Sequence, residues 1–155
     1  MGFKQGLKDY GTIAAGVLIV AVFSLLSPDK FCTLDNLLNI SRQISLLVII
    51  SMGATLVMIV DEFDLSIGAM ASLGGVLAAL LAVAGQPLAV CFLLPLVICF
   101  GMGLINGWII TRFGVLSFIS TLAMNTILTG VIYRLTGGGA VFQNIPQGFG
   151  RLGNG

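Results

Sequence analysis

A short acidic segment between two apolar stretches holds the residues best suited to polar chemistry. Asp61, Glu62 and Asp64 make up half of the six acidic residues of the chain, and Ser66 follows closely. Asp64 or Ser66 could accept the free backbone N–H groups at the start of the next helix, where the helix dipole favours a carboxylate. Acids flanked by apolar helices also contact ligands or partner subunits from polar cavities. The two roles are compatible, and the residues leave both open.

Two later apolar stretches carry uncharged polar side chains. Asn106 lies in the first of them, where an amide most often bonds to a neighbouring helix. Thr121, Asn125 and Thr129 recur every four residues in the second, which places them on one helix face. Such a face could line a hydrophilic path, although Thr hydroxyls also bond to carbonyls of their own helix. Together with the acidic segment, these four residues are candidate pathway or helix-capping residues.

The residue types argue against the common catalytic and cofactor-binding arrangements. The sequence has no histidine, so a serine nucleophile would lack its usual base. Asp61 and Asp64 lie within one turn, whereas two convergent catalytic carboxylates normally come from separate segments. No P-loop and no GxGxxG occurs, and the three cysteines lack the spacing of metal ligands. We therefore predict no catalytic residue, metal or cofactor, and any ATP hydrolysis would belong to a separate subunit.

The composition indicates a membrane protein. Of the 155 residues, 57% are hydrophobic and 8% are charged, whereas a soluble domain usually carries about 25% charged residues. So few charges cannot cover a globule of this size with polar surface, and the apolar surface must face the lipid bilayer. The net charge is +1 and no basic stripe is present, which argues against nucleic acid as a partner.

Five apolar segments predict an all-α, polytopic transmembrane helix bundle that forms a single domain over residues 1–155. They lie at residues 10–26, 44–60, 65–84, 88–110 and 118–135. Their lengths are close to the ~20 residues that cross a bilayer core. A polar connector at 27–43 includes a predicted interfacial helix at 36–43, and a Gly-rich tail follows at 136–155.

Small residues predict close contacts between these helices. Ala71, Gly75 and Ala79 repeat every four residues and give the third span one smooth face. Gly103 and Gly107 form a G-x-x-x-G motif in the fourth span, which is typical of closely packed membrane helices.

The N-terminus is predicted to be cytoplasmic. Lys4 and Lys8 precede the first span, and the first helix usually dominates the orientation set by basic residues. The remaining Lys and Arg residues of the loops fall on both sides and do not decide the orientation.

A series of motifs resembles the permease subunits of bacterial ATP-binding-cassette sugar importers, of the ribose and autoinducer-2 type. The motifs are Phe31-x-Thr33-Leu34-x-Asn36-Leu37-Leu38-Asn39-Ile40, Gly53-Ala54-Thr55-Leu56-Val57, Asp64-Leu65-Ser66-Ile67-Gly68, Gly103-Leu104-Ile105-Asn106-Gly107 and Phe118-Ile119-Ser120-Thr121-Leu122-Ala123-Met124. A Gly137-Gly138-Gly139 stretch follows, where the family often has a Gly-containing turn. The resemblance covers essentially the whole chain, and the order and spacing of the motifs make it specific.

The resemblance implies a fold, a location and partners. Family members are about twice as long, and their second half carries the loop that docks on the ATPase, so the chain is expected to be the N-terminal half of an importer permease. Such a permease lies in the bacterial inner membrane beside a second permease copy. A periplasmic or extracellular solute-binding protein delivers the solute, and a cytoplasmic ATPase drives transport.

The acidic segment departs from the family pattern. Family members usually have Gly-Gly-Ile or a similar small stretch before the Asp-Leu-Ser motif, where this chain has Asp61-Glu62-Phe63. This departure could signal an altered substrate preference or simple drift. Two alternative functions also stay open: an ion-coupled secondary transporter or channel subunit that uses these acids, and a non-transporting scaffold assembled through small-residue faces. Ion coupling needs acids inside the membrane, often in a broken helix, whereas the position between two spans favours an interfacial turn.

Overall fold

The computed structural model describes residues 3–141, 144–146 and 148–149, with side chains from residue 10 onward. The described chain is helical and contains no strand. Its helices are α1 (Phe3–Leu26), α2 (Pro28–Phe31), α3 (Leu34–Met58), α4 (Ile67–Val83), α5 (Leu88–Phe113) and α6 (Ser117–Thr136).

Three of these helices, α3, α5 and α6, are long and apolar enough to cross a membrane. Two shorter apolar helices accompany them, Tyr10–Leu26 within α1 and the 17-residue α4. At 1.5 Å per residue α4 is about 26 Å long, slightly less than the ~30 Å hydrocarbon core. The fold is thus a polytopic helix bundle of about five spans, as the sequence predicts.

The helix boundaries differ from the predicted spans, most clearly at α1, which begins at Phe3 rather than residue 10, and at three further points. The predicted interfacial helix at 36–43 and the span at 44–60 form one continuous helix, α3, because the polar residues between them are good enough helix formers to continue the turn. The loop predicted from Thr111 is shorter, since α5 continues to Phe113 and ends at Gly114 in the left-handed conformation (φ 64°). The third span begins at Ile67 rather than Leu65.

The chain divides into two compact units, the first ending at Ile49 and the second beginning at Ile50. In the first unit the ring centroids of Phe23 and Phe31 lie 5.8 Å apart in a stacked arrangement. The Thr33 hydroxyl accepts the backbone N–H of Asn36 at 3.2 Å and thereby caps the start of α3. The Asn36 side chain donates to the carbonyl of Phe31 at 2.9 Å, which ties α2 to α3.

The core of the second unit lies where α4 packs against α5 and α6. Ala69 and Leu73 of α4 meet Met124 and Leu128 of α6 in one buried cluster. Leu128 is fully buried, with an exposed fraction of 0%. Since α4 packs more extensively on α5 and on α6 than these two helices pack on each other, it is the helix around which this unit is organised.

The small residues do not pack as predicted. A Cβ atom added to Gly75, Gly103 or Gly107 would meet no atom within 4 Å, so the expected close packing of these glycines is wrong for contacts within the described part of the chain. Closer approaches lie instead at Gly53, whose added Cβ would lie 3.4 Å from Cδ1 of Ile67, and at Gly74, whose added Cβ would lie 3.6 Å from the sulfur of Cys99. The periodicity identified a face rich in small residues but not which side of the helix the neighbour occupies.

Candidate functional site

The acidic segment begins with a helix-ending turn at Asp61. The N–H of Asp61 donates to the Met58 carbonyl at 3.1 Å, and the N–H of Glu62 donates to the Val57 carbonyl at 3.4 Å. This pair of bonds is the Schellman arrangement, which needs a left-handed residue at the position that Asp61 holds. Asp61 has φ 59°, so its backbone conformation turns the chain away from α3, and its side chain is exposed.

Asp64 fixes the start of α4. One carboxylate oxygen, Oδ1, accepts the backbone N–H of Ser66 at 2.7 Å and the Ser66 hydroxyl at 2.6 Å. Ser66 is the N-cap residue and is 1% exposed, but its side chain makes no capping bond to the helix. Asp64 therefore orients the residue that opens α4, while the Ser66 hydroxyl serves as its hydrogen-bond partner. This local turn explains why α4 starts two residues later than predicted.

The first turns of α6 hold the middle of the acidic segment through the backbone of Phe63. The N–H of Phe63 donates to the Ser117 hydroxyl at 3.3 Å. The Thr121 hydroxyl bonds to the Ser117 carbonyl at 2.7 Å and also lies 3.4 Å from the Phe63 carbonyl. Ser117 and Thr121 are four residues apart and both buried, so one face of α6 satisfies both polar groups of the Phe63 backbone.

Asn106 joins α5 to α6. The hydroxyl of Ser120 donates to the amide oxygen of Asn106 at 2.6 Å. Asn106 is 6% exposed and Ser120 is 8% exposed. The interhelical bond that the sequence suggested for Asn106 is therefore present, and its partner is the Ser120 hydroxyl of α6.

These groups surround one cleft of about 220 Å³. Its wall combines the acidic segment, the last turn of α3, one face of α5 and the start of α6. The lining residues are Val57, Glu62, Phe63, Asp64, Ser66, Gly103, Asn106, Gly107, Ile110, Ser117 and Thr121. Two carboxylates, one amide and three hydroxyls thus converge on this space, and no lysine or arginine of the described residues lines it.

The cleft runs along α5, from near its C-terminal end back toward the middle of the helix. Gly103 and Ile110 mark its limits on that helix and precede the last residue, Phe113, by ten and three positions. At 1.5 Å per residue, the cleft reaches from about 5 to about 15 Å below the end of α5. Glu62 and Asp64 therefore line a recess beside α5, whereas Asp61 lies exposed at the turn.

The predicted candidates divide into two groups. Glu62, Asp64, Ser66, Asn106 and Thr121 all line the cleft. Three other candidates do not line it. Asp61 is exposed at the turn, and Thr129 is exposed on α6, where its hydroxyl bonds to the carbonyl of Asn125 at 2.8 Å. Asn125 is half-buried away from the cleft.

Sequence reasoning missed two contributors to the cleft. Ser117 was assigned to a loop, although its position four residues before Thr121 already placed it on the same helix face. The backbone of Phe63 carries no signal in the sequence, because any residue supplies the same N–H and C=O groups.

Comparison with protein families shows which family the chain is related to. Residues 36–153 match the family described as branched-chain amino acid transport system / permease component. The match includes the acidic segment, α5 and α6, and all residues that line the cleft. The chain belongs to this permease family.

Individual members of this permease family are similar over most of the chain. The ribose import permease protein of Haemophilus influenzae is 33% identical over 154 residues, which is 96% of this chain and 47% of that protein. The D-allose transport system permease protein of Escherichia coli is 34% identical over 134 residues, covering 86% of this chain and 41% of that protein. The xylose transport system permease protein of Escherichia coli is 33% identical over 142 residues, covering 90% of this chain and 36% of that protein.

The chain therefore spans about half the length, or less, of the curated permeases it matches. No solved structure matches it.

Proposed function

We propose that this chain forms half of the membrane-spanning path of one permease subunit in an ATP-binding-cassette importer for a monosaccharide or a similar small polar solute. The observation that carries the proposal is the similarity, along nearly the whole chain, to permeases named for ribose, D-allose and xylose. The polar cleft beneath the end of α5 supports it, since a path for a hydroxylated solute needs polar groups inside an apolar bundle.

The proposal includes the remaining parts of the importer. A second permease copy would complete the dimeric path, a cytoplasmic ATPase would supply the energy and a periplasmic or extracellular binding protein would deliver the solute. The protein would lie in the bacterial inner membrane with its N-terminus in the cytoplasm. In this proposal the ATPase subunit would supply the nucleotide-binding loop, a motif that the given sequence does not contain.

A second candidate is an ion-coupled transporter or channel subunit. The observation that favours it is the position of Glu62 and Asp64 in the recess below the end of α5, because coupling ions bind carboxylates inside the membrane. The exposure of Glu62 weighs against it, since a coupling carboxylate needs a binding site closed off from bulk water.

A split-permease experiment separates the two. The chain is co-expressed with the C-terminal half of the Haemophilus influenzae ribose import permease and with the ATPase and binding protein of that system, in cells lacking their own ribose importer. We expect uptake of radiolabelled D-ribose that disappears when the ATPase carries a substitution of its P-loop lysine. The control is the same strain with the C-terminal half alone.

Two results would argue against the importer. Uptake that persists with the inactive ATPase but collapses with a protonophore or without Na⁺ would favour ion coupling, and substitution Asp64→Asn should then remove that dependence. If the chain neither supports uptake nor co-purifies with the C-terminal half and the ATPase, the permease proposal fails.

A further inference from the structure

The nitrogen arm of the Asn106 amide has no hydrogen-bond partner among the residues that the structure describes. The amide oxygen accepts the bond from Ser120, but the amide nitrogen donates to no acceptor among the described residues. Every fully enclosed side-chain nitrogen or oxygen of the described residues has a partner, so this nitrogen keeps an opening. Asn106 is 94% buried and lines the cleft, which makes the cleft the space where its two N–H groups find an acceptor.

The cleft is also lined by carboxylate oxygens that accept no hydrogen bond from a described residue. Only one oxygen of Asp64 is used, by Ser66, and Glu62 makes no side-chain hydrogen bond to a described residue while lining the same space. An amide donor and two carboxylate acceptors therefore face one recess.

These groups select the charge of a ligand. In the part of the chain that the structure describes, two carboxylates and no lysine or arginine line the cleft, so an anion such as a sugar phosphate is repelled. A cation would satisfy the carboxylates but would leave the N–H groups of Asn106 unpaired, which is costly for a buried amide. A neutral solute can satisfy both the amide and the carboxylates if its neighbouring groups each donate and accept hydrogen bonds. Hydroxyls on adjacent carbons have this property.

The size of the cleft limits the ligand further. A volume of 220 Å³ corresponds to about seven water molecules at ~30 Å³ each. A cleft of this volume is large enough for one sugar ring. Gly103 and Gly107 help to provide the room, because a Cβ added to either would meet no protein atom within 4 Å.

We propose that this cleft is a hydroxyl-recognition subsite for one neutral monosaccharide ring, with the Asn106 amide donating and the Asp64 and Glu62 carboxylates accepting. The assignment rests on the proposed permease function but concerns binding, which can be measured without transport.

The test uses the whole chain in lipid nanodiscs and saturation-transfer difference NMR with D-ribose as the probe, a method suited to weak binding. Asn106→Leu removes the donor, and Gly107→Ala adds a methyl group at the cleft wall. Asn125→Leu and Gly101→Ala are the matched controls, because Asn125 lies outside the cleft on α6 and Gly101 lies outside it on α5 with the same free space around its Cβ.

We expect saturation transfer to D-ribose that is reduced about fivefold or more by Asn106→Leu, the size of effect expected for loss of one hydrogen bond. Gly107→Ala should reduce it similarly, while both controls retain it. D-ribose 5-phosphate and choline should give no displaceable signal. Since alanine favours the helix more than glycine does and the added Cβ of Gly107 has free space, we expect Gly107→Ala to keep the fold.

Two outcomes would overturn the subsite. One is equal signal from the cleft variants and their controls, and the other is displacement of D-ribose by choline or by ribose 5-phosphate as readily as by unlabelled sugar. Failure of the permease proposal would look different, since a chain that binds D-ribose through Asn106 but supports no ATP-dependent uptake would keep the subsite and lose the importer.

Discussion

The hydroxyl of Ser120 lies 2.6 Å from the amide oxygen of Asn106, and both side chains are more than nine-tenths buried. This bond joins α6 to α5 and also fixes which arm of the amide faces the cleft. In an apolar bundle the hydroxyl has no water to replace the amide, so the bond contributes to stability and to the geometry of the recess.

Substitution Ser120→Ala should therefore destabilise the bundle. We expect a loss of about 1 kcal/mol in the free energy of unfolding, the usual scale for one interhelical hydrogen bond in a membrane protein. Titration with SDS in mixed micelles, followed by the fluorescence of the single tryptophan, Trp108, measures it. Thr126→Ala is the control, because the Thr126 hydroxyl bonds to the Leu122 carbonyl of its own helix. Equal stability of the two variants would show that the Asn106–Ser120 bond contributes nothing.

The left-handed turn at Asp61 predicts an unusual stabilising substitution. Left-handed backbone costs an ordinary L-residue about 1–2 kcal/mol, and glycine avoids that cost. With φ 59° at Asp61, Asp61→Gly should raise the free energy of unfolding by about 0.5–1 kcal/mol, whereas Asp61→Ala should lower it by a similar amount. The same SDS titration measures both.

The comparison between glycine and alanine isolates the backbone effect, since both substitutions remove the carboxylate. If glycine and alanine at position 61 gave the same stability, the backbone would not be held in the left-handed conformation.

Much of the bundle could be predicted from the sequence, because apolar runs bounded by polar or glycine-containing turns define spans in a membrane. The exact start of α4 could not, since it depends on the bond from the Ser66 N–H to Asp64. Periodicity also placed Thr121, Asn125 and Thr129 on one face, but it carried no information on where the neighbouring helix ends. The cleft therefore takes in Thr121 and leaves Thr129 exposed.

Leu128 tests whether α4 and α6 pack as described. The side chain is fully buried against the cluster that contains Leu73 and Met124. Leu128→Ala should lower the free energy of unfolding by about 2–4 kcal/mol, through lost contacts and the cavity left behind. Ile127→Ala is the matched control, since Ile127 is the preceding residue and is 58% exposed. A comparable loss from both variants would contradict the packing of α6 on α4.

The cysteines allow the orientation of the N-terminal unit to be tested without introducing a reporter. Cys32 is exposed in the connection between α2 and α3, whereas Cys91 is buried in α5 and Cys99 is partly buried there. A thiol reacts with a maleimide as the thiolate, which requires access to water, so Cys32 is the expected site of labelling.

If the N-terminus is cytoplasmic, α1 carries the chain across the membrane and Cys32 lies outside. A membrane-impermeant maleimide should then label the chain in intact spheroplasts, and Cys32→Ser should abolish the labelling. Labelling confined to inside-out vesicles would reverse the orientation.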